Sequence, residues 1–196
     1  GLQERMHLTK FVSDEAVSAV KQADLGGLNL GGKRREVTIM ETDIRGFTSI
    51  SEKLEPEEVV NLLNKYLDIQ TEVIQNHGGD IDKFIGDAVL AVFEGDDMAD
   101  NAVGCAIDIQ VEINKLNQKL GGNTMFGIGI NSGPVVMGPI GSKDRMDYTV
   151  IGDHVNLAAR LCDAAGAGEI IISENTKKNL NQDKFKLKEK DPLKVK

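Results

Sequence analysis

The sequence predicts an α+β fold, a ferredoxin-like β-α-β-β-α-β core with additional C-terminal strands and helices. Three observations carry that expectation. Short apolar runs with strand character alternate with long segments of helical period, and glycine-containing hairpin signals stand between the helices. A chain of 196 residues, 40% hydrophobic and 28% charged, is also the size and composition of one ordinary core.

Each element follows from local pattern. Over residues 6–22, Leu8, Phe11, Val12, Ala16 and Val20 recur at helical spacing, and Ser13 or Asp14 can restart the helix as an N-cap. Gly26, Gly27, Gly31 and Gly32 break the pattern, so residues 1–32 read as a helical lead-in and linker and residues 33–196 as the main domain. Val37 to Ile44 is rich in β-branched residues and stops at Gly46, which predicts a buried strand. Pro56 to His77 is a long helix: Pro56 suits its first turn, Glu57 and Glu58 face the positive end of its dipole, and Gly78-Gly79 stops it.

Ile81–Ile85 and Ala88–Phe93, separated by Gly86-Asp87, read as a hairpin with a carboxylate at its tip. A helix follows from about Asp97 to Leu120, then strands over Met125–Val136 and Tyr148–Ile151 joined by a polar loop. Asp153 is the expected N-cap of a helix reaching Ala165. Glu169–Ile172 reads as a strand, Ser173–Leu180 as a helix, and the tail from Lys184 as one or two edge strands.

Composition excludes several functions. Lys and Arg number 23 against 31 Asp and Glu, a net charge of -8, and such a surface repels phosphate backbones and anionic lipid. Six Phe, two Tyr and no Trp leave little stacking surface, so a sheet that binds RNA, or any nucleic-acid partner, is not expected. Cys105 and Cys162 lie inside amphipathic patterns and read as reduced core thiols. No apolar run approaches the roughly 18 residues of a membrane span, and no signal peptide is legible, so a cytoplasmic chain is expected. The start at Gly1-Leu2, without an initiator Met, reads as a piece of a longer protein, membrane-bound or not, with an upstream sensor or regulatory domain.

Two carboxylates stand out, Asp43 at the end of the first strand and Asp87 at the hairpin tip. Either alone is explained by capping a turn. If the strand pairs with the hairpin they converge, and two unneutralised carboxylates in one place repel strongly. Divalent cations resolve the repulsion: carboxylate and carbonyl oxygens suit magnesium, and two such ions about 4 Å apart clamp an in-line attack at phosphorus. Gly46 lets the chain turn so that the amides of Phe47 and Thr48 open a helix, an end suited to a polyphosphate.

Asp43-Ile44-Arg45-Gly46-Phe47-Thr48, Lys83-Phe84-Ile85-Gly86-Asp87 and the run Tyr148 to Arg160 (YTVIGDHVNLAAR) together resemble, in the same order, the class III nucleotidyl cyclase catalytic domains of the adenylyl cyclase type. The resemblance runs from about Glu36 to the C-terminus. It implies the nucleotide cyclase fold and conversion of ATP to cyclic AMP and pyrophosphate. It also implies two Mg2+ or Mn2+ ions per site on Asp43, Asp87 and the Ile44 carbonyl. Phe47 and Thr48 match the phosphate cradle, Lys83 and Thr149 the purine-reading pair, and Asn156 and Arg160 the residues that orient the ribose and stabilise the pentavalent phosphorus. Lys188 matches, less closely, a lysine that contacts the triphosphate, because Glu189 replaces the glycine usual between Lys188 and Lys190.

The chemistry of these residues agrees with those roles. Lys83 only donates, so it suits adenine N1 and opposes guanine N1–H, whereas Thr149 both donates and accepts, which predicts imperfect preference for ATP. Asn156 and Arg160 lie four apart on one helix face and can reach one object, and an arginine fixed at the transferring phosphorus is worth about three to five orders of magnitude. No side chain in the motifs is an obvious strong base, so Asp43 is the candidate acceptor for the 3′-hydroxyl proton and His154 reads as a packing or capping residue.

The resemblance further implies a head-to-tail homodimer with shared active sites, its interface on the sheet face and the Gly127–Ile151 hairpin. Glu41 departs from the family, which usually has an aromatic there. It reads either as a third carboxylate near the metals or as a tolerated substitution at the contact between chains. A guanylyl or dual-specificity cyclase is the alternative enzyme. A catalytically silent nucleotide-binding or dimerisation module is the alternative of another kind, expected to lack one of Asp43, Asp87, Asn156 or Arg160.

Overall fold

A computed structural model describes residues 1–23 and 29–193. Gly26 and Gly27, the expected breakers of the lead-in, lie outside the described residues. Before them the lead-in is two helices, restarted where the sequence allows: α1 (Leu2–Leu8), a 3-10 turn over Thr9–Phe11, and α2 (Asp14–Gln22). The division falls at Ser13, whose Oγ accepts the Ala16 amide. Asp80 completes the cap from a distant strand, its carboxylate accepting the amides of Asp14 at 2.9 Å and Glu15 at 3.0 Å. Free helix-end donors are thereby satisfied on the body of the protein.

The first strand, β1, spans Lys33–Arg45. It starts earlier than its β-branched run because Lys33 to Glu36 pair with Met137 to Pro134. A short helix, α3 (Phe47–Ser51), and a long one, α4 (Pro56–Asn76), lead to the hairpin β2 (Asp80–Ile85) and β3 (Ala88–Phe93). Then come α5 (Met98–Leu120), β4 (Met125–Gly141), β5 (Met146–Ile151), α6 (Asp153–Ala164), β6 (Ile170–Ile172) and α7 (Glu174–Lys178). The sheet order is β2-β3-β1-β4-β5, with β6 pairing parallel to β4 and the other pairs antiparallel. Its first four strands have the expected ferredoxin-like arrangement, and β5 and β6 are the additions.

Strand alternation divides the core in two. Met40, Val89, Ala91, Phe93, Phe126, Ile128 and Ile130 face α4 and α5, where Tyr66, Ile74, Ile109 and Ile113 are fully buried. On the other face Val37, Ile39, Leu90, Val92 and Val135 gather with Ala158 of α6. That second face positions the site, because Glu41 and Asp43 continue the alternation of Val37 and Ile39.

β4 admits α6 by a row of glycines. A Cβ on Gly127 would strike the Arg45 guanidinium, and one on Gly133 the His154 ring at 2.4 Å. One on Gly129 would lie 2.2 Å from the Cys162 amide nitrogen and 2.5 Å from the Ala158 carbonyl oxygen. The helix backbone therefore lies directly on the strand. Between α7 and the sheet a buried hydroxyl chain runs from Thr38 through Ser132 to Thr176, with steps of 2.7 and 3.0 Å.

Two local expectations are corrected. Gly152, not Asp153, occupies the cap of α6, and Asp153 opens the first turn, since Gly152 makes the change of direction at a positive φ that side-chain-bearing residues rarely adopt (φ 142°, ψ 169°). Among the described residues the tail forms no strand after Lys184, only a 3-10 turn over Gln182–Lys184 followed by irregular chain. Every residue from Lys186 to Leu193 is exposed, so the alternation there has no buried face to hold it on a sheet edge.

Candidate active site

β1 and the β2–β3 hairpin bring Asp43 and Asp87 together. Antiparallel pairing sets Thr42 opposite Val89, which leaves the hairpin tip beside the end of β1. The Ile44 amide donates to Asp87 Oδ2 at 3.2 Å. Burial, and then the hydrogen bond and charge of Asp87, push the Asp43 carboxyl up to about 7. Arg45 opposes that rise only in part from 3.6 Å, since its guanidinium is shared with the Cys162 carbonyl. Two acids pressed together so that one holds its proton near neutrality are a donor set suited to divalent cations. Among the described residues no group of three or more His, Cys, Asp or Glu is placed to hold a metal. Glu41 is therefore not gathered with them as a third ligand; it faces Asp163 of α6.

Beyond Asp43 the chain turns at Gly46 in the left-handed region (φ 74°), where side-chain-bearing residues are disfavoured, and enters α3. Phe47 is half-buried and Thr48 exposed. The first amides of a helix have no partner within it, so these two remain available to an anion.

Lys83 and Thr149 also meet, through a residue that motif reading passed over. Thr149, on β5, donates its hydroxyl to Asp82 Oδ2 at 2.8 Å, and Lys83 Nζ lies 3.5 Å from the same oxygen. All three line a cavity of about 930 Å³, whose opposite wall is residues of the 3-10 turn and α2. Asp82 was available in the sequence only as the neighbour of Lys83. A register irregularity between Ile81 and Lys83 gives it the buried position, which period-two counting does not anticipate.

Asn156 and Arg160 project from the exposed side of α6, and among the described residues neither side chain makes a hydrogen bond or ion pair. Within one chain they are thus not tied to the Asp43–Asp87 pair. Lys188 is exposed in the tail, whereas Lys190 donates to Glu169 Oε1 at 2.7 Å. His154 is a packing residue: Asn131 Nδ2 lies 3.2 Å from its Nδ1 and donates to its backbone carbonyl at 2.9 Å. Cys105 and Cys162 are free and buried, and burial pushes both thiols up to about 12, so neither is a nucleophile at neutral pH.

Residues 32–196 match the family model of the adenylate and guanylate cyclase catalytic domain. The chain belongs to this cyclase family. It is 39% identical over 189 residues to an adenylate cyclase of Anabaena cylindrica, a match covering 91% of this chain and 36% of that protein. It thus spans about a third of that relative's length. Among solved cyclase structures, the guanylyl cyclase Cya2 is 44% identical with a TM-score of 0.73, covering 76% of this chain and 80% of that one. The adenylyl cyclase CyaB from P. aeruginosa is 38% identical with a TM-score of 0.74, covering 78% and 84%. The fold is therefore the nucleotide cyclase fold, and no helix among the described residues is long and apolar enough to cross a membrane.

The acids on the α6 face have a consequence for stability. Burial and then Asp163 push Glu41 up to about 7, as burial and Asp87 do for Asp43. Both carboxyls bind protons more tightly folded than unfolded. Their contribution is greatest at low pH and is lost as pH rises from their ordinary range towards 7. Glu41→Gln should therefore melt higher than the wild type at about pH 8, with the gap closing near about pH 5. Parallel melting temperatures across that range would contradict the buried-acid reading.

Proposed function

We propose that this chain is an adenylyl cyclase catalytic domain, preceded by a helical lead-in over residues 1–32, that converts ATP to 3′,5′-cyclic AMP and pyrophosphate. The observation that supports this most is the meeting of Asp43 with Asp87 where the end of β1 lies beside the β2–β3 hairpin tip. Asp43, Asp87 and the Ile44 carbonyl would hold two magnesium or manganese ions, which when bound supply charge neutralisation and Lewis acidity at the phosphates.

The chain's own residues do the rest. Lys83 donates to adenine N1 and Thr149 accepts from the N6 amino group, which fixes the purine. The Phe47 and Thr48 amides hold the β- and γ-phosphates, and Lys188 adds a charge to the triphosphate. Asn156 orients the ribose so that its 3′-oxygen lies in line with the α-phosphorus. That oxygen attacks, its proton passes to Asp43, and the bond to pyrophosphate breaks while Arg160 stabilises the charge on the phosphoryl oxygens.

Asn156 and Arg160 act on substrate bound by the Asp43 and Asp87 of a second copy, in a head-to-tail homodimer with two equivalent sites. Exposed Phe84, Ile85, Val136 and Ile151, on the hairpin and the β4–β5 ribbon, support a contact between chains there. Glu41 then reads as a substitution close to that contact. The presence of all four of Asp43, Asp87, Asn156 and Arg160 argues against a silent module.

A guanylyl reading is favoured by one observation, the 44% identity to a guanylyl cyclase structure. One incubation separates the two: purified chain with ATP or GTP, and magnesium or manganese, followed by chromatography of the nucleotides. Cyclic AMP formed faster from ATP than cyclic GMP from GTP is the expected result. No cyclic nucleotide with either metal, or a preference for GTP, overturns the proposal.

A further inference from the structure

We infer that Asp82 is a positioning residue that sets base specificity by committing the Thr149 hydroxyl proton, so that Thr149 presents only acceptor lone pairs to the purine. The inference rests on the adenylyl cyclase reading of this site and deepens it. A threonine hydroxyl has one proton and two lone pairs, so a free Thr149 could accept from the adenine amino group or donate to guanine O6. Its proton is not free. Thr149 Oγ1 lies 2.8 Å from Asp82 Oδ2, and a carboxylate can only accept.

Asp82 is held in that role from three sides. Its side chain is 6% exposed and Lys83 Nζ stands 3.5 Å away. The backbone N–H of Val150 is directed at the same carboxylate. Burial raises the Asp82 carboxyl, while Thr149, Lys83 and Val150 all oppose the rise by favouring its charged form. Thr149 is itself only 7% exposed, so water cannot readily replace the carboxylate as its acceptor. The edge shown to the base is then a donor from Lys83 beside an acceptor from Thr149. Adenine, with an acceptor at N1 and a donor at N6, fits both. Guanine meets Thr149 acceptor to acceptor at O6, and its N1–H opposes Lys83.

The test is the ratio of kcat/KM for ATP to that for GTP in the full chain. Asp82→Ala frees the Thr149 proton to serve guanine O6, so the ratio should fall about five- to tenfold, mostly through a rise with GTP. Asp82→Asn keeps a carbonyl acceptor for the hydroxyl and should hold the ratio within about twofold of wild type. In a Thr149→Ala background Asp82→Ala should leave the ratio unchanged. A role confined to folding lowers both turnovers together and leaves the ratio where it was, which overturns the inference. So does an equal shift in the Thr149→Ala background, because Asp82 would then act through Lys83. If the wild type makes no cyclic nucleotide, the functional reading fails. Competition of ATP and GTP against a fluorescent ATP analogue then measures the same ratio as dissociation constants and still decides the role of Asp82.

Discussion

An equimolar mixture of Asp87→Ala and Arg160→Ala chains is expected to recover about a quarter of wild-type turnover, although each variant alone falls by about a thousandfold or more. The size of each loss follows from the chemistry. Without Asp87, Asp43 is left as a single carboxylate, which is too few ligands to hold cations under a triphosphate. Without Arg160, the charge that builds on the phosphoryl oxygens loses its fixed cation. The recovery follows from symmetry. Random pairing makes half of the dimers mixed, and each mixed dimer has one site with both residues intact and one with neither. Turnover of ATP by the mixture, followed as cyclic AMP against total dimer, is the measurement. A mixture as silent as its components, in chains shown to exchange, would place both residue sets within one chain.

Gly129→Val should be the most damaging single substitution on the α6 face, lowering stability by more than about 3 kcal/mol and abolishing turnover. The three nearest atoms to a Cβ there are all backbone, so no flexible side chain can give way to relieve them. The atoms a Cβ would strike are backbone of α6, the Cys162 nitrogen at 2.2 Å and the Leu161 carbonyl carbon at 2.7 Å among them. Relief requires the whole helix to lift, and that helix carries Asn156 and Arg160. Gly166→Ala is the control, since a Cβ there meets nothing within 4 Å. Equal thermal melts for the two variants would show that α6 is not seated on β4 in this way.

Much of this architecture was legible without coordinates. The hairpin around Gly86-Asp87 and the helices that begin near Pro56 and Asp97 are set by short-range pattern, where a few residues decide the local conformation. The motifs around Asp43, Asp87 and Arg160 were legible for the same reason, because each is contiguous. The weak alternation of the tail makes no strand, because alternation without burial carries no sheet energy. The restart of the lead-in at Ser13 is legible from short-range pattern, whereas its second cap is not, because Asp80 lies 66 residues away from Asp14.

What the sequence alone determined is the order of the elements and the chemical character of the three motifs, since periodicity and residue type act over a few neighbours. Only the tertiary structure decided which of those residues share a space. Pairing of β1 with β3 joined Asp43 to Asp87, and an irregularity in β2 turned Asp82 onto the Thr149 hydroxyl. The physical reason is that both meetings depend on strand register, and register is fixed by packing across the whole sheet.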